Sequence, residues 1–218
     1  MKINQSVEAG QAVYTKNTLS IYDLWVLGFS NSFLWKCPTN KLRDTFKNHS
    51  TVNHLDVGVG SGYYLDKCLS NIERRVALLD LNMNSLNAAA TRISRFNPEI
   101  YCGNALEPLN TQCEKFDSIS VNYLLHCLPG CLQEKGIMFK HLEKLLNDKG
   151  VLFGSTILGK DSNYGYFAGK LMALYNKKGI FDNSSDDLPS LESSLNQYFQ
   201  NVNITIVGCV AIFYAQKI

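Results

Sequence analysis

The sequence predicts an α/β domain built on a mostly parallel sheet, and three observations carry that reading. From residue 51 onward, strand-like and helix-like segments alternate strictly through five units. The first strand-like run enters a turn holding three glycines, and the chain closes with two apolar runs separated only by Gly208. So short a connection joins antiparallel strands, because parallel strands need a long crossover.

Taken in order, His54-Leu55-Asp56-Val57 is a buried strand, followed by a helix from Tyr63 to Ser70. Val76 to Asp80 is the second strand, and Leu86, Ala89, Ala90 and Ile93 then recur at helical spacing. A short strand lies near Ile100-Tyr101, and a fourth runs from Phe116 to Val121. Leu132, Phe139, Leu142 and Leu146 share one helical face before Lys149-Gly150 launches the fifth strand, Val151 to Phe153. Two further helical patterns follow, Phe167 to Tyr175 and Leu188 to Phe199, with a polar, acidic loop between them from Phe181 to Asp187. Val202 to Val207 and Cys209 to Tyr214 form the closing hairpin. The first 50 residues differ: they are aromatic and amphipathic from Tyr14 through Trp35, break at Pro38, and resume as a short helix from Thr39 to Lys47.

At 218 residues and 45% hydrophobic content, the chain suits a single domain spanning 1–218. Twenty-one basic against 19 acidic side chains leave a net charge of +2, so no long-range field draws nucleic acid or an anionic membrane. No apolar run approaches the roughly 18–20 residues that span a bilayer, and no charged-then-apolar leader follows Met1. Seven scattered cysteines without a C-x-x-C pair read as reduced core thiols of a cytoplasmic protein. No metal is expected: His126, Cys127 and Cys131 lack a fourth ligand at sensible spacing.

The chemistry is carried by the first turn. Gly58, Gly60 and Gly62 read G-x-G-x-G, which lets backbone N–H groups approach a ligand closely. Dinucleotide sites read G-x-G-x-x-G instead, and Tyr63 here would crowd a pyrophosphate while tolerating an uncharged thioether linkage. Asp80 ends the second strand 18 positions past Gly62, where a carboxylate can accept hydrogen bonds from both ribose hydroxyls. The alternative is that Asp80 only caps the helix after it.

Leu55 to Gly62 with Asp80 resembles the first two motifs of the class I S-adenosylmethionine-dependent methyltransferases. Gly103-Asn104-Ala105 is similar to that family's third-strand motif. Phe116 to Ile119 running into Asn122-Tyr123-Leu124-Leu125-His126 resembles its fourth, and Leu145 to Leu152 its helix-turn into strand five. The resemblance implies a three-layer Rossmann-like sheet of seven strands in the order 3-2-1-4-5-7-6, strand 7 antiparallel, with residues 51–218 as core and 1–50 as a helical lid. It further implies S-adenosyl-L-methionine as cofactor. Gly58, Gly60 and Gly62 would pass the methionine part, Asp56 would hold the loop or the amino group, Asp80 the ribose, Leu81 and Ala105 the adenine, and Asn122 would face the sulfonium. Asn104 replaces the commoner acidic residue, although its amide oxygen can still accept a bond from the adenine amino group.

Asn122-Tyr123-Leu124-Leu125 has no proline with which to build the flat, amine-gripping turn of the enzymes that methylate nucleic-acid amines, so a small-molecule acceptor is expected. From the lid itself, Tyr14 is expected against the cofactor and Tyr22, Trp25 and Trp35 against substrate; the alternative, favoured by the four-residue spacing of Trp25 and Phe29, is a helix packing on the core. His126 is the candidate general base; its alternative is a loop histidine bonded to backbone. The acceptor atom and the oligomeric state stay open. So does a second class of protein, one that binds the cofactor to regulate or without transferring a methyl group.

Overall fold

Every predicted strand is present in order in the computed structural model, which describes residues 31, 33–109, 113–160 and 165–218. Helix α1 (Thr39–His49) precedes β1 (Asn53–Val57), α2 (Tyr63–Cys68), β2 (Arg75–Asp80), α3 (Met83–Arg92), β3 (Glu99–Cys102) and β4 (Phe116–Asn122). The chain continues through α4 (Leu132–Lys135), α5 (Ile137–Lys144), β5 (Leu146–Ile157), α6 (Tyr166–Lys177), α7 (Leu188–Asn196), β6 (Phe199–Val207) and β7 (Val210–Lys217). The seven strands form one sheet in the order β3-β2-β1-β4-β5-β7-β6. β7 runs antiparallel to both its neighbours, and the remaining pairs are parallel.

Period-two alternation divides the side chains between two layers. Leu55 and Val57 of β1, Ala77 and Leu79 of β2, and Ile119 and Val121 of β4 face one core, with Leu132, Phe139, Leu142 and Leu191 from α4, α5 and α7. Val76, Leu78 and Phe153 face the other, with Phe46, Leu65, Leu86 and Ala89 from α1, α2 and α3. A third cluster gathers Trp35, Cys37, Tyr123, Met172, Phe181 and Cys209 near the end of β5, where the β6–β7 turn also lies. Among the described residues, no helix is long and apolar enough to cross a membrane.

Two helix expectations are corrected, and the expected acidic loop carries buried groups. The helix predicted from Leu132 to Leu146 is two, broken at Gly136. Ser194 of α7 donates its hydroxyl to the Leu132 carbonyl at 3.1 Å, and a Cβ on Gly136 would lie 3.0 Å from Ser194 Cβ, so the break admits α7. Phe199 fits the helical spacing of Leu188, Leu191 and Leu195 but begins β6, because α7 stops at Asn196. The acidic loop from Phe181 to Asp187 is not simply a solvated one. Asn183 and Asp186 are buried, and Lys135 reaches Asp186 at 2.6 Å and the Asp182 carbonyl at 2.7 Å, which pins the loop against α4.

Candidate active site

In a parallel sheet, ligands bind at the carboxyl ends of the strands, where the connections part on either side. Here the tips of β1, β2, β3 and β4 surround a cleft enclosing about 800 Å³, lined among others by Gly58, Gly60, Asp80, Leu81, Asn104, Ala105, Asn122 and Tyr123. A smaller cavity of about 420 Å³ adjoins it over the glycine turn, between Asp56, Ser61, Tyr63, Tyr64 and Asn122. Gly58, Gly60, Asn122 and Tyr123 line both spaces.

The turn between them needs its glycines for different reasons. Gly62 has φ +73°, and an added Cβ would lie 2.9 Å from the Cα of Ala89, so α3 crosses directly over it. Gly60 has φ +51° with nothing within 4 Å of an added Cβ; backbone angle alone calls for glycine there. The Gly58 N–H donates to the Leu79 carbonyl at 2.8 Å and ties the turn to β2.

Asp80 accepts the Asn82 N–H at 2.8 Å. Burial pushes its carboxyl up to about 6, against backbone N–H bonds from Asn82, Gly60, Val59 and Leu81 that lower it. The helix cap itself is Asn82, whose side chain accepts the Asn84 N–H at 2.8 Å. Asp56 is 6% exposed and receives the Ser120 hydroxyl. Burial raises its carboxyl to about 7, with Ser120 lowering it and the neighbouring Asp80 raising it again.

Asn104 lines the cleft, but its amide oxygen already accepts the Leu106 N–H at 3.0 Å and its amide nitrogen faces Glu107 at 3.4 Å. Asn122 takes the Ser155 hydroxyl on its Oδ1 at 3.0 Å, and its buried Nδ2, between the two cavities, has no hydrogen-bond partner among the described residues. Tyr123, which sequence reasoning passed over, sits at φ +56° and donates its N–H to the Ser155 carbonyl at 2.8 Å. A bulky residue is held in left-handed backbone only when its surroundings over-determine it. Sequence spacing carries no signal for it.

Two expected site residues are placed differently. His126 is 3% exposed and lines neither cavity. Its Nδ1 takes the Ile157 N–H at 3.3 Å and its ring packs on Phe181 at 4.5 Å. Burial, with the Lys135 charge adding to it, lowers its pKa to about 3. This arrangement matches the backbone-bonded alternative. Trp35 is 2% exposed, packs 6.1 Å from Phe181, and its carbonyl accepts the Cys209 N–H at 2.9 Å. It belongs to the cluster behind Tyr123 and does not line the cleft. Tyr14, Tyr22 and Trp25 lie outside the described residues. Among the described residues, no group of three His, Cys, Asp or Glu side chains is placed to hold a metal.

Comparison with known proteins agrees with this geometry. Residues 55–152 match a family model described as a methyltransferase domain. Demethylluteothin O-methyltransferase of Streptomyces thioluteus is 38% identical over 98% of this chain and 93% of its own length. The physcion biosynthesis cluster O-methyltransferase of Aspergillus chevalieri is 37% identical over 96% of each. Among solved structures, N-methyltransferase NodS from Bradyrhizobium japonicum WM9 in complex with S-adenosyl-L-homocysteine superposes with a TM-score of 0.65 at 14% identity, over 98% of this chain and 97% of that one. The motifs of the first turn, the strand order and these relatives converge, and the chain belongs to the class I S-adenosylmethionine-dependent methyltransferases.

Proposed function

We propose that this enzyme methylates a hydroxyl oxygen of a small molecule, with the cofactor's adenosine in the larger cleft and its amino-acid arm in the smaller one. The observation that carries the placement is that the two cavities share Gly58, Gly60, Asn122 and Tyr123 as walls, with a carboxylate on each side: Asp80 for the ribose and Asp56 toward the arm. Leu81 and Ala105 offer apolar contact to the adenine, and the unpartnered Asn122 Nδ2 offers a donor where the cavities meet. Oxygen as the acceptor atom is supported by the names of both relatives. The near-neutral chain and the proline-free Asn122-Tyr123-Leu124-Leu125 favour a small molecule over a nucleic acid.

S-adenosylmethionine supplies an activated methyl group on a sulfonium. The chain's own contribution is to orient, and to exclude water from, an in-line displacement. With His126 turned into the core, no base from the fourth strand is assigned. Alignment and desolvation beside Asn122 and Tyr123 carry the catalytic load, and the acceptor hydroxyl gives up its proton to solvent before the transfer.

Calorimetry tests the cofactor reading: S-adenosylmethionine and S-adenosylhomocysteine give binding heat and NAD gives none. Labelled methyl transfer to a panel of phenols, alcohols and amines then tests the acceptor. Label appearing on amines alone overturns oxygen as the target.

A further inference from the structure

The sheet face toward α1, α2 and α3 is interrupted by four polar side chains that the register sets side by side, His54 beside Ser118 and Asp56 beside Ser120. His54, Ser118 and Ser120 have no exposed surface at all. Buried polar groups are expensive unless each finds a partner, and these four are joined in one chain. The Thr51 N–H donates to Ser118 Oγ at 2.9 Å, and Ser118 Oγ lies 2.8 Å from His54 Nδ1. His54 Nε2 lies 3.0 Å from Ser120 Oγ, which donates to Asp56 Oδ1.

The charge state of Asp56 sets the direction of the protons. An ionised Asp56 only accepts, so the single Ser120 proton points to it, and Ser120 must receive its own bond from Nε2–H. His54 Nδ1 is then a lone pair able to take the Ser118 proton; Ser118 Oγ also lies 2.8 Å from Thr51 Oγ1, which donates to the Asn53 carbonyl at 3.0 Å. Bonds aligned head to tail polarise one another. Phe46 and Phe153 pack on the imidazole at 5.3 and 5.8 Å. Burial, reinforced by the Arg74 charge, keeps the ring neutral down to about pH 3.

We propose that His54, acting through Ser120, is a positioning residue for the cofactor's amino-acid end, aiming Asp56 into the smaller cavity as an ionised acceptor for the α-ammonium group. This rests on the placement of the methionine arm given above. Among the described residues, the other titratable groups on that cavity's wall are Tyr63 and Tyr64 from α2 and Tyr123 after β4, with Asp80 of β2 acting through its charge, and none of these is a cation. Burial and the Asp80 charge therefore work to protonate Asp56, and the Ser120 proton is what opposes them.

The test compares S-adenosylhomocysteine with 5′-methylthioadenosine, which lacks the amino-acid arm, by calorimetry from about pH 6 to pH 9. The affinity ratio isolates the arm, because any direct contact of Asp80 with the adenosine is common to both ligands. In the wild type the ratio rises as Asp56 ionises. In Ser120→Ala and His54→Phe the midpoint of that rise moves up by about one pH unit, roughly a tenfold loss of the ratio below the midpoint. It is regained at high pH, and methylthioadenosine binding is unchanged. His54→Gln, which restores a donor toward Ser120, returns most of the ratio. Coincident profiles in the wild type and Ser120→Ala overturn the relay. A wild-type ratio of one at every pH overturns the placement of the arm instead. Nitrogen NMR of the wild type gives a check that depends on no variant folding: His54 is a neutral Nε2–H tautomer throughout, and a titrating or Nδ1–H ring refutes the proposal.

Discussion

The two halves of the sheet's carboxyl edge are built by different means. Across β1 to β3 the cleft is largely backbone: a turn with three glycines at positive φ, N–H groups gathered on Asp80, and Asn82 capping the helix beyond. Across β4 and β5 it is side chains and their packing. Asn122 is oriented by Ser155, Tyr123 is held in left-handed backbone, and His126 and Trp35 are buried behind them around Phe181. A backbone-built site is set by a few obligatory residue types at close spacing, whereas a packing-built one depends on partners far away in sequence.

The sharpest way to break this contrast is Asp80→Ala. Loss of a charge-assisted bond to the ribose should weaken cofactor binding roughly ten- to a hundredfold in calorimetry, with α3 intact because Asn82 remains its cap. Unchanged affinity would reduce Asp80 to a strut for the turn.

The glycines give the next effect. Gly62→Ala should cost about 2–4 kcal/mol in denaturant unfolding, combining left-handed strain with a clash against Ala89. Gly60→Ala should cost only the strain, about 1–2 kcal/mol. Equal losses would mean that the crossing of α3 is not what requires Gly62.

On the packed half, His126→Gln should lower turnover by less than about tenfold and leave the pH–rate profile in place, since a general base contributes about 100- to 10,000-fold. A larger loss with a missing limb of the profile would return His126 to catalysis.

The smallest effect concerns Asp56 in the cofactor-free enzyme. Its carboxyl is raised from 3.8 to about 7 and that of Asp80 from 3.8 to about 6. Groups shifted upward favour the folded state at low pH, and that contribution is lost as pH rises through the folded values. Stability of the empty protein should therefore fall between about pH 4 and pH 7 on their account. Asp56→Asn should flatten the slope and raise the neutral-pH melting temperature by about 2–4 °C, while weakening binding of the amino-acid arm. A melting temperature that falls in the variant would contradict the burial cost assigned to Asp56.

The same contrast explains what could be read from the sequence. Strand periodicity and the G-x-G-x-G turn are local patterns, so all seven strands, the closing hairpin and the Asp80 tip were legible. Gly136 sits against Ser194, 58 residues later, and no local period records that approach. His126 stands on a single 3-10 turn, Leu125–Cys127, and Trp35 on a bend, where spacing does not say which way a side chain turns. Ser118 and Ser120 read as unremarkable strand residues until β4 is laid beside β1. Resemblance to a family supplied the strand order, which spacing alone left undetermined.

The place of β7 has a consequence for assembly. β7 lies between β5 and β6, and only the Gly208–Cys209 turn joins it to β6. The sheet therefore cannot grow strand by strand in chain order. β5 must wait through α6, α7 and β6 before its neighbour arrives, and the hairpin then inserts with its second strand leading. Until it does, the edge of β5 from Leu152 to Ile157, fully buried in the native protein, is an open template for another chain. Refolding yield should accordingly fall steeply with protein concentration, and a synthetic peptide spanning residues 199–217, added during refolding, should compete for that edge.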